Sequence, residues 1–437
     1  MNAVFLAIVL IAFAVAAVRQ IMWTGAADDA PMNKLGIGMI DAAGGSVTLA
    51  IGLVGVMTLF LGLMKVAEQG GLLVIIAKTL RPLLIRLFPE VPADHPAMGA
   101  MILNMAANVL GLGNAATPFG IRAMQQLETL NPRKGTATNA MALFLAINTS
   151  SITILPTGVI ALRAAAGSAD PAGIVPTTLF ATICSTTVAI IASKFLEKRW
   201  AAPADAADDV GDDDEEAVPA DDLSDVPDVP DVQGDAGGAY PAWVSVTALA
   251  AVMALVPLTV FHGRAIAPWI IPGLMVGLLS FGAIRGVRVY EAFVEGARDG
   301  FNVALRIIPY LVAILVAVGM FRHSGAMEML IEPLGAVTTL FGLPADALPM
   351  ALLRPLSGSG AYGILASIIQ NPAIGPDSYT GYLVSTFQGS TETTFYVLAV
   401  YFGAVGIRRI RHALVAALLA DLAGVAGAVF IVGVLYG

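Results

Sequence analysis

The chain has 437 residues, 57% of them hydrophobic and 13% charged, with a mean hydropathy of +0.81. Soluble domains carry about 25% charged residues, so this composition excludes a soluble globular enzyme and points to a polytopic membrane protein. The net charge of −9 misleads, because residues 201–242 hold 14 of the 32 acidic side chains and no Lys or Arg, leaving 23 basic against 18 acidic groups elsewhere. No basic, aromatic-interleaved surface for nucleic acid is present. The lone Cys184 supports neither an intrachain disulfide nor a thiolate metal site.

In chain order, Asn2 to Met22 is apolar without a basic leader or a small-residue cleavage site, and reads as a retained first span. Ser46 to Met64 is an uncharged run of spanning length. Leu72 to Phe88 interleaves an apolar stripe with Lys78, Arg81 and Arg86, which predicts a helix lying in the interface. Pro96 to Leu130 is cut by Gly111-Leu-Gly-Asn-Ala-Ala-Thr-Pro118 into halves too short to cross, the pattern of a re-entrant hairpin. Thr136 to Arg163 has spanning length but holds Asn148-Thr-Ser-Ser-Ile-Thr153, so it reads as a span broken at mid-membrane, and Pro171 to Ser193 closes the series.

The acidic stretch 201–242, with Asp212-Asp-Asp-Glu-Glu216, cannot bury a core and is expected to be a disordered linker. Two connecting spans follow, Trp243 to Phe261 and Ile266 to Ile284. The earlier order then recurs: a span (Phe301 to Phe321), an interfacial helix (Met327 to Phe341), a hairpin (Ala347 to Gln370) cut at Ser357-Gly-Ser-Gly-Ala-Tyr-Gly363, a span (Ser378 to Gly406) broken at Gln388-Gly-Ser-Thr-Glu-Thr-Thr394, and a closing span (Ala413 to Leu435).

This recurrence is an internal repeat. Gly70 matches Gly325, Pro92-Ala-Asp94 matches Pro344-Ala-Asp346, and Ser150-Ser151 matches Ser390-Thr391. The fold expected is an all-α polytopic membrane protein with about nine crossings: an N-terminal span and loop over 1–40, a first repeat over 41–200, the linker, the connecting pair over 243–288 and a second repeat over 289–437. An odd number of crossings separates the repeats, so they are inverted. Under this plan 17 of the 23 basic residues fall on one side, which the positive-inside bias makes cytoplasmic. The N-terminus and linker are then cytoplasmic, and the C-terminus lies outside the cell membrane.

Inverted repeats with discontinuous helices are a recurring plan of secondary transporters, whose sites form where half-helix ends and unwound backbone meet. The candidate binding groups are therefore Asn108, Asn114, Thr117, Asn148, Ser150 and Ser151 from the first repeat, and Ser357, Ser359, Gln388, Ser390, Thr391, Glu392 and Thr393 from the second. Small polar residues in membranes also tie neighbouring helices together, so any one of them can be structural. Ionisable groups at mid-membrane are stronger pointers, since each costs about 2.5–3.5 kcal/mol to insert. Glu392, Asp421 and Arg354 qualify and are the candidates for ion coupling, with Asp421 equally suited to pair with a basic residue. Gly358-Ser-Gly360-Ala-Tyr-Gly363 fits a dinucleotide fingerprint in letters but lacks the strand–helix setting that gives it meaning. The four histidines show no metal-ligand spacing, so neither a metal nor another cofactor is expected, beyond a coupling sodium ion or proton.

Asn104-Met-Ala-Ala-Asn-Val-Leu-Gly-Leu-Gly-Asn-Ala-Ala-Thr-Pro-Phe-Gly-Ile-Arg-Ala-Met124 resembles spore maturation protein A. Arg354-Pro-Leu-Ser-Gly-Ser-Gly-Ala-Tyr-Gly363 and Thr386-Phe-Gln-Gly-Ser-Thr-Glu-Thr-Thr-Phe-Tyr396 resemble spore maturation protein B. The chain thus looks like a fusion of the two, within the nucleoside-recognition, or Gate, group, which is similar in plan to concentrative nucleoside transporters. That resemblance implies a site at hairpin tips and broken helices, with Glu392 as its carboxylate; the first hairpin tip departs from the pattern, offering Asn114 and Thr117 where an acid is expected. The expected function is secondary transport of a small polar solute, nucleoside-like, with membrane lipid as surroundings and homo-oligomerisation left open. The alternative is a channel or scaffold for envelope maturation. An enzyme is not expected, because no catalytic cluster is found.

Overall fold

The computed structural model describes residues 2–26, 29–111, 113–150, 153–200 and 240–437. Ser151, the side chain of Asn114 and the linker segment 201–239 lie outside the described residues. What is described folds as helices, joined by one parallel bridge between Thr136 and Arg409.

Helix α1 (Asn2–Ile21) is followed by α2 (Pro31–Gln69), which starts earlier than the uncharged run alone predicts. Pro31 stands at its first turn, where a missing N–H costs nothing. Gly71 ends it in the left-handed conformation (φ 84°) and launches α3 (Leu72–Leu87). The corresponding Gly325 (φ 82°) launches α11 (Ala326–Thr338) after α10 (Val289–His323). Only glycine adopts this conformation at no steric cost, so the structural counterpart of Gly325 is Gly71, one residue after the Gly70 that the sequence pairs with it. The first hairpin is α4 (Pro96–Val109) with α5 (Gly113–Thr129), and the second is α12 (Leu348–Leu353) with α13 (Gly358–Ile369). The broken spans are α6 (Asn139–Ser150) with α7 (Thr157–Ala165), and α14 (Tyr379–Ser390) with α15 (Thr394–Gly403). Helices α8 (Ile174–Leu196) and α16 (Ala413–Tyr436) close the two series.

One expected element differs. Where two connecting spans are predicted, a single helical segment, α9 (Ala242–Ile284), runs through. Straight, the 40 residues from Ser245 to Arg285 would cover roughly 60 Å. Yet Ser245 donates to the carbonyl of Thr79 (2.6 Å) and Arg285 Nε to that of Gly70 (2.9 Å). Those carbonyls are nine residues apart, at most roughly 32 Å at full extension, so α9 doubles back on itself.

Equivalent helices of the two series pack antiparallel. Gly38 of α2 faces His323 of α10, and Gly62 faces Phe293. Tyr436 of α16 donates to the carbonyl of Gly173, just before α8, at 2.9 Å, while Ser185 of α8 donates to that of Ala420 at 2.9 Å. Small residues line the α8/α16 contact: Ala181, Cys184 and Ser185 meet Ala420, Gly424 and Gly427. Inside lipid, close backbone approach of this kind holds helices where the hydrophobic effect does not.

The core has two main halves. In one, the first hairpin packs with α6 and with α15 of the other series; in the other, the second hairpin packs with α14 and with α7. Each hairpin therefore shares its core with the far half of the opposite broken span. This interlocking brings the two breaks together.

Candidate functional site

At both breaks the helix ladder is interrupted, which leaves main-chain groups that need partners in a medium without water. The hairpin tips supply them. The N–H of Ile154 donates to Val109 O (3.2 Å), and the N–H of Phe395 donates to Pro355 O (3.1 Å). Gly111, with φ 73° and Leu155 O lying 2.8 Å from where a Cβ would stand, lets the first tip approach its break. Across the repeats, the N–H of Glu392 donates to Thr149 O at 2.7 Å.

The first-repeat candidates form a directed network. Asn104 Nδ2 donates to Ala116 O (2.7 Å) and to the hydroxyl of Tyr401 (3.2 Å). Tyr401 in turn donates to Asn148 Oδ1 (3.4 Å), which also accepts from Asn108 Nδ2 (2.9 Å), and Asn148 Nδ2 donates to Phe144 O (2.9 Å). Ser150 pairs with Thr186 (2.9 Å), and Thr182 donates to Ser150 O (2.9 Å). Thr117 sits half-buried on α5. Asn148 and Ser150 are thus committed to protein partners.

In the second repeat, Ser357 caps α13 by accepting from Gly360 N (3.0 Å), and Ser359 is exposed. Arg354 at the tip is buried. It donates to Thr393 Oγ1 (2.9 Å) and to the Thr391 carbonyl, and lies 3.7 Å from Glu392 Oε2. Glu392 has no basic neighbour along the chain; the hairpin fold supplies one. Its side chain is 49% exposed although Gln388, Ser390, Thr391 and Thr393 around it are buried. Asp421 takes a hydroxyl rather than a direct basic partner: Thr394 Oγ1 donates to its Oδ2 at 2.6 Å. Among the described residues Asp421 Oδ1 and Arg354 Nε are buried without hydrogen-bond partners, and both residues line a cavity of ≈ 10 Å³ with Ser390, Thr391, Phe387 and Val425. That is about the space one water needs. A larger cavity, ≈ 490 Å³, lies around Asn131, Arg133, Glu197 and Arg411; none of the candidate site residues lines it.

Two participants are not singled out by the sequence patterns. Tyr401 joins the first-repeat network from α15. Arg163, fully buried at the end of α7, clamps the two series together at the other end of the site. It donates to Pro376 O (2.6 Å), pairs with Asp377 (3.0 Å) and lies 4.2 Å over the Tyr382 ring, itself stacked on Tyr436. In the adjoining loop, burial pushes the Asp170 carboxyl upward, against the pull of Arg163. A charge at the very end of a broken span is the only signal the sequence gives of this clamp.

Residues 50–166 and 304–408 match the profile of the Gate family, described as nucleoside recognition. Spore maturation protein B of Bacillus subtilis is 48% identical over 167 residues, which cover 38% of this chain and 93% of that protein. Spore maturation protein A of the same organism is 48% identical over 154 residues, covering 35% of this chain and 79% of that protein. The inner membrane protein YjiG of Escherichia coli is 31% identical over 81 residues, 18% of this chain and 53% of that protein. No solved structure matches.

Proposed function

Because the chain belongs to the Gate, or nucleoside-recognition, family, we propose that it is a secondary transporter of a small polar, nucleoside-like solute. The observation that carries this reading is Glu392: a half-exposed carboxylate at a helix break, surrounded by buried hydroxyls and anchored to the opposite break. A solute offering hydroxyl or amide donors finds an acceptor there that needs no desolvation of a fully buried charge.

Alternating access needs two halves that can exchange roles. The antiparallel packing of α2 on α10 and of α8 on α16 supports inverted repeats. Counting the doubled-back α9 as two crossings supports nine in all. Gly135 O accepts the N–H groups of Arg408 and Arg409, which gathers basic residues of both repeats at one face and favours that face, with the N-terminus and linker, as cytoplasmic. Glu392, Asp421 and Arg354 are the groups through which sodium or a proton would couple to solute, and no enzymatic step is assigned.

A second reading is a channel or scaffold for envelope maturation. It is favoured by the names of the two spore maturation relatives, which speak of maturation. A thermal-stability screen of the detergent-solubilised protein against a panel of nucleosides and other polar metabolites separates the two, because a ligand that binds the folded state raises its melting temperature. A hit followed by uptake into proteoliposomes supports transport. Silence across the panel and leakage without saturation support the channel or scaffold.

A further inference from the structure

Asn148 and Gln388 occupy the same place in the two repeats, two residues before the matched Ser150 and Ser390. Both are buried side-chain amides in the last turn before a break. Each stands beside a tyrosine of the second repeat whose hydroxyl lies over a glycine of the first. Tyr401 bonds Asn148 and sits over Gly120, where a Cβ would overlap its oxygen. Tyr362 stands beside Gln388 and sits over Gly158, where a Cβ would lie 2.6 Å from its oxygen. The glycines leave these tyrosines the room they need.

The two amides are not equally satisfied. Asn148 Oδ1 accepts twice, from Asn108 and Tyr401. Gln388 Oε1 is buried and has no hydrogen-bond partner among the described residues. A buried carbonyl left unpaired costs folding free energy, so its persistence in a native fold calls for a role, and a ligand donor is one that repays the cost.

From this asymmetry we infer that Gln388 is the specificity-determining amide of the site, its free Oε1 reading a hydrogen-bond donor on the solute, and that Tyr362 is its positioning residue. Asn148 is a strut that locks the first hairpin to its break. The inference rests on the solute-binding reading above, but the orphaned acceptor also leaves a signature in the empty protein.

That signature decides the matter without a ligand. Removing both partners of a satisfied pair strands what they held, whereas removing an orphaned pair strands nothing. In detergent, Gln388→Leu with Tyr362→Phe is expected to melt at or above the wild-type temperature. Asn148→Leu with Tyr401→Phe is expected to melt below it, because Asn108 Nδ2 loses its acceptor. If the Gln388 pair melts lower than wild type, the amide is a strut like its counterpart and the inference falls.

Binding supplies the second arm, with uridine, 2′-deoxyuridine and 3-methyluridine as probes that differ in single donors. Wild type is expected to prefer a donor-bearing member by about tenfold, the discrimination typical of a site built around one buried polar contact. Gln388→Leu is expected to flatten that preference while staying folded. Tyr362→Phe is expected to weaken binding without changing which donor matters, and Gly158→Ser, which displaces the same hydroxyl, to do likewise. A preference retained in Gln388→Leu overturns the inference. If wild type binds none of the probes, the nucleoside-like reading is what fails, and the melting comparison still judges Gln388.

Discussion

The N–H of Glu392 donates to the carbonyl of Thr149 at 2.7 Å, so the break in one broken span is closed by a main-chain group from the other. Neither break can be rewound into a continuous helix without stranding a group of its neighbour. At membrane depth an unsatisfied N–H or carbonyl costs several kcal/mol, which couples the two repeats at the place where the candidate ligand groups converge.

Glu392 and Arg354 lie 3.7 Å apart but differ in how they are held. A pair with one half-exposed member is worth about 0–1 kcal/mol, so Glu392→Gln is expected to leave thermal stability in detergent nearly unchanged while solute binding falls. Arg354 is buried and serves the Thr391 carbonyl and the Thr393 hydroxyl. Arg354→Met therefore removes about 1–3 kcal/mol, and adding Glu392→Gln restores neither stability nor binding. A double variant that regained both would make the pair structural and end the role assigned to Glu392.

The Arg163 clamp behaves in the opposite sense. Removing the cation leaves Asp377 with only Ser168 and the N–H of Ala169 and takes the guanidinium off the Tyr382 ring. Asp377 is 37% exposed, so the ion pair itself is worth about 0–1 kcal/mol; the larger loss is the donor to the Pro376 and Asp170 carbonyls, about 1–3 kcal/mol, so Arg163→Met is expected to melt below wild type. Asp377→Asn is expected to cost less, since Pro376 O and Asp170 O still accept from Arg163. Equal melting temperatures for wild type and Arg163→Met would show that the clamp carries no stability.

His412 gives a pH dependence of definite sign. It precedes α16, fully buried, with both ring nitrogens unpartnered among the described residues, and burial together with the neighbouring Arg411 pushes it down to about 4. Unfolded, it titrates near 6.5, so between those values the unfolded chain binds the extra proton. Stability is full above about pH 6.5 and declines as pH falls toward 4, by up to about 1.4 kcal/mol per pH unit. His412→Leu strands no hydrogen bond and is expected to match wild type at pH 7.5 and exceed it at pH 5. Parallel melting curves at the two pH values would refute this.

Much of the element order is legible from composition alone, because apolar runs of about 20 residues and the Gly- or Ser-rich cuts within them are the direct imprint of a bilayer. The hairpin tips at Gly111 and Ser357 and the breaks at Ser150 and Glu392 are read this way, and the helices end there. What the sequence hides is contact across the repeats. Nothing near Glu392 in the chain announces Arg354, and Tyr401 reads as one aromatic in an apolar helix although its hydroxyl joins Asn104 to Asn148. Nor do the two apolar runs from Trp243 to Phe261 and from Ile266 to Ile284 reveal that one helical segment takes in both while its two ends return to α2 and α3.

Sidedness is open to direct measurement. The basic residues of the chain outnumber its acidic ones once 201–242 is set aside, and Arg408, Arg409 and Arg411 bond to Gly135, Ala137 and Trp200 at the same end as Arg133 and Lys134. The positive-inside bias assigns that end to the cytoplasm. Helix α16 starts there at Ala413 and finishes at Tyr436, beside Gly173 at the opposite end of α8, so Gly437 is expected outside. Cys184 packs against Gly427 between α8 and α16, and Cys184→Ala removes the one native thiol with little loss of contact. Single cysteines placed in that background at 220 and at 437 are expected to react with an impermeant maleimide from opposite sides of intact cells and inverted vesicles. Labelling of both from the same side would contradict an odd number of crossings between them, and with it the inversion of the repeats.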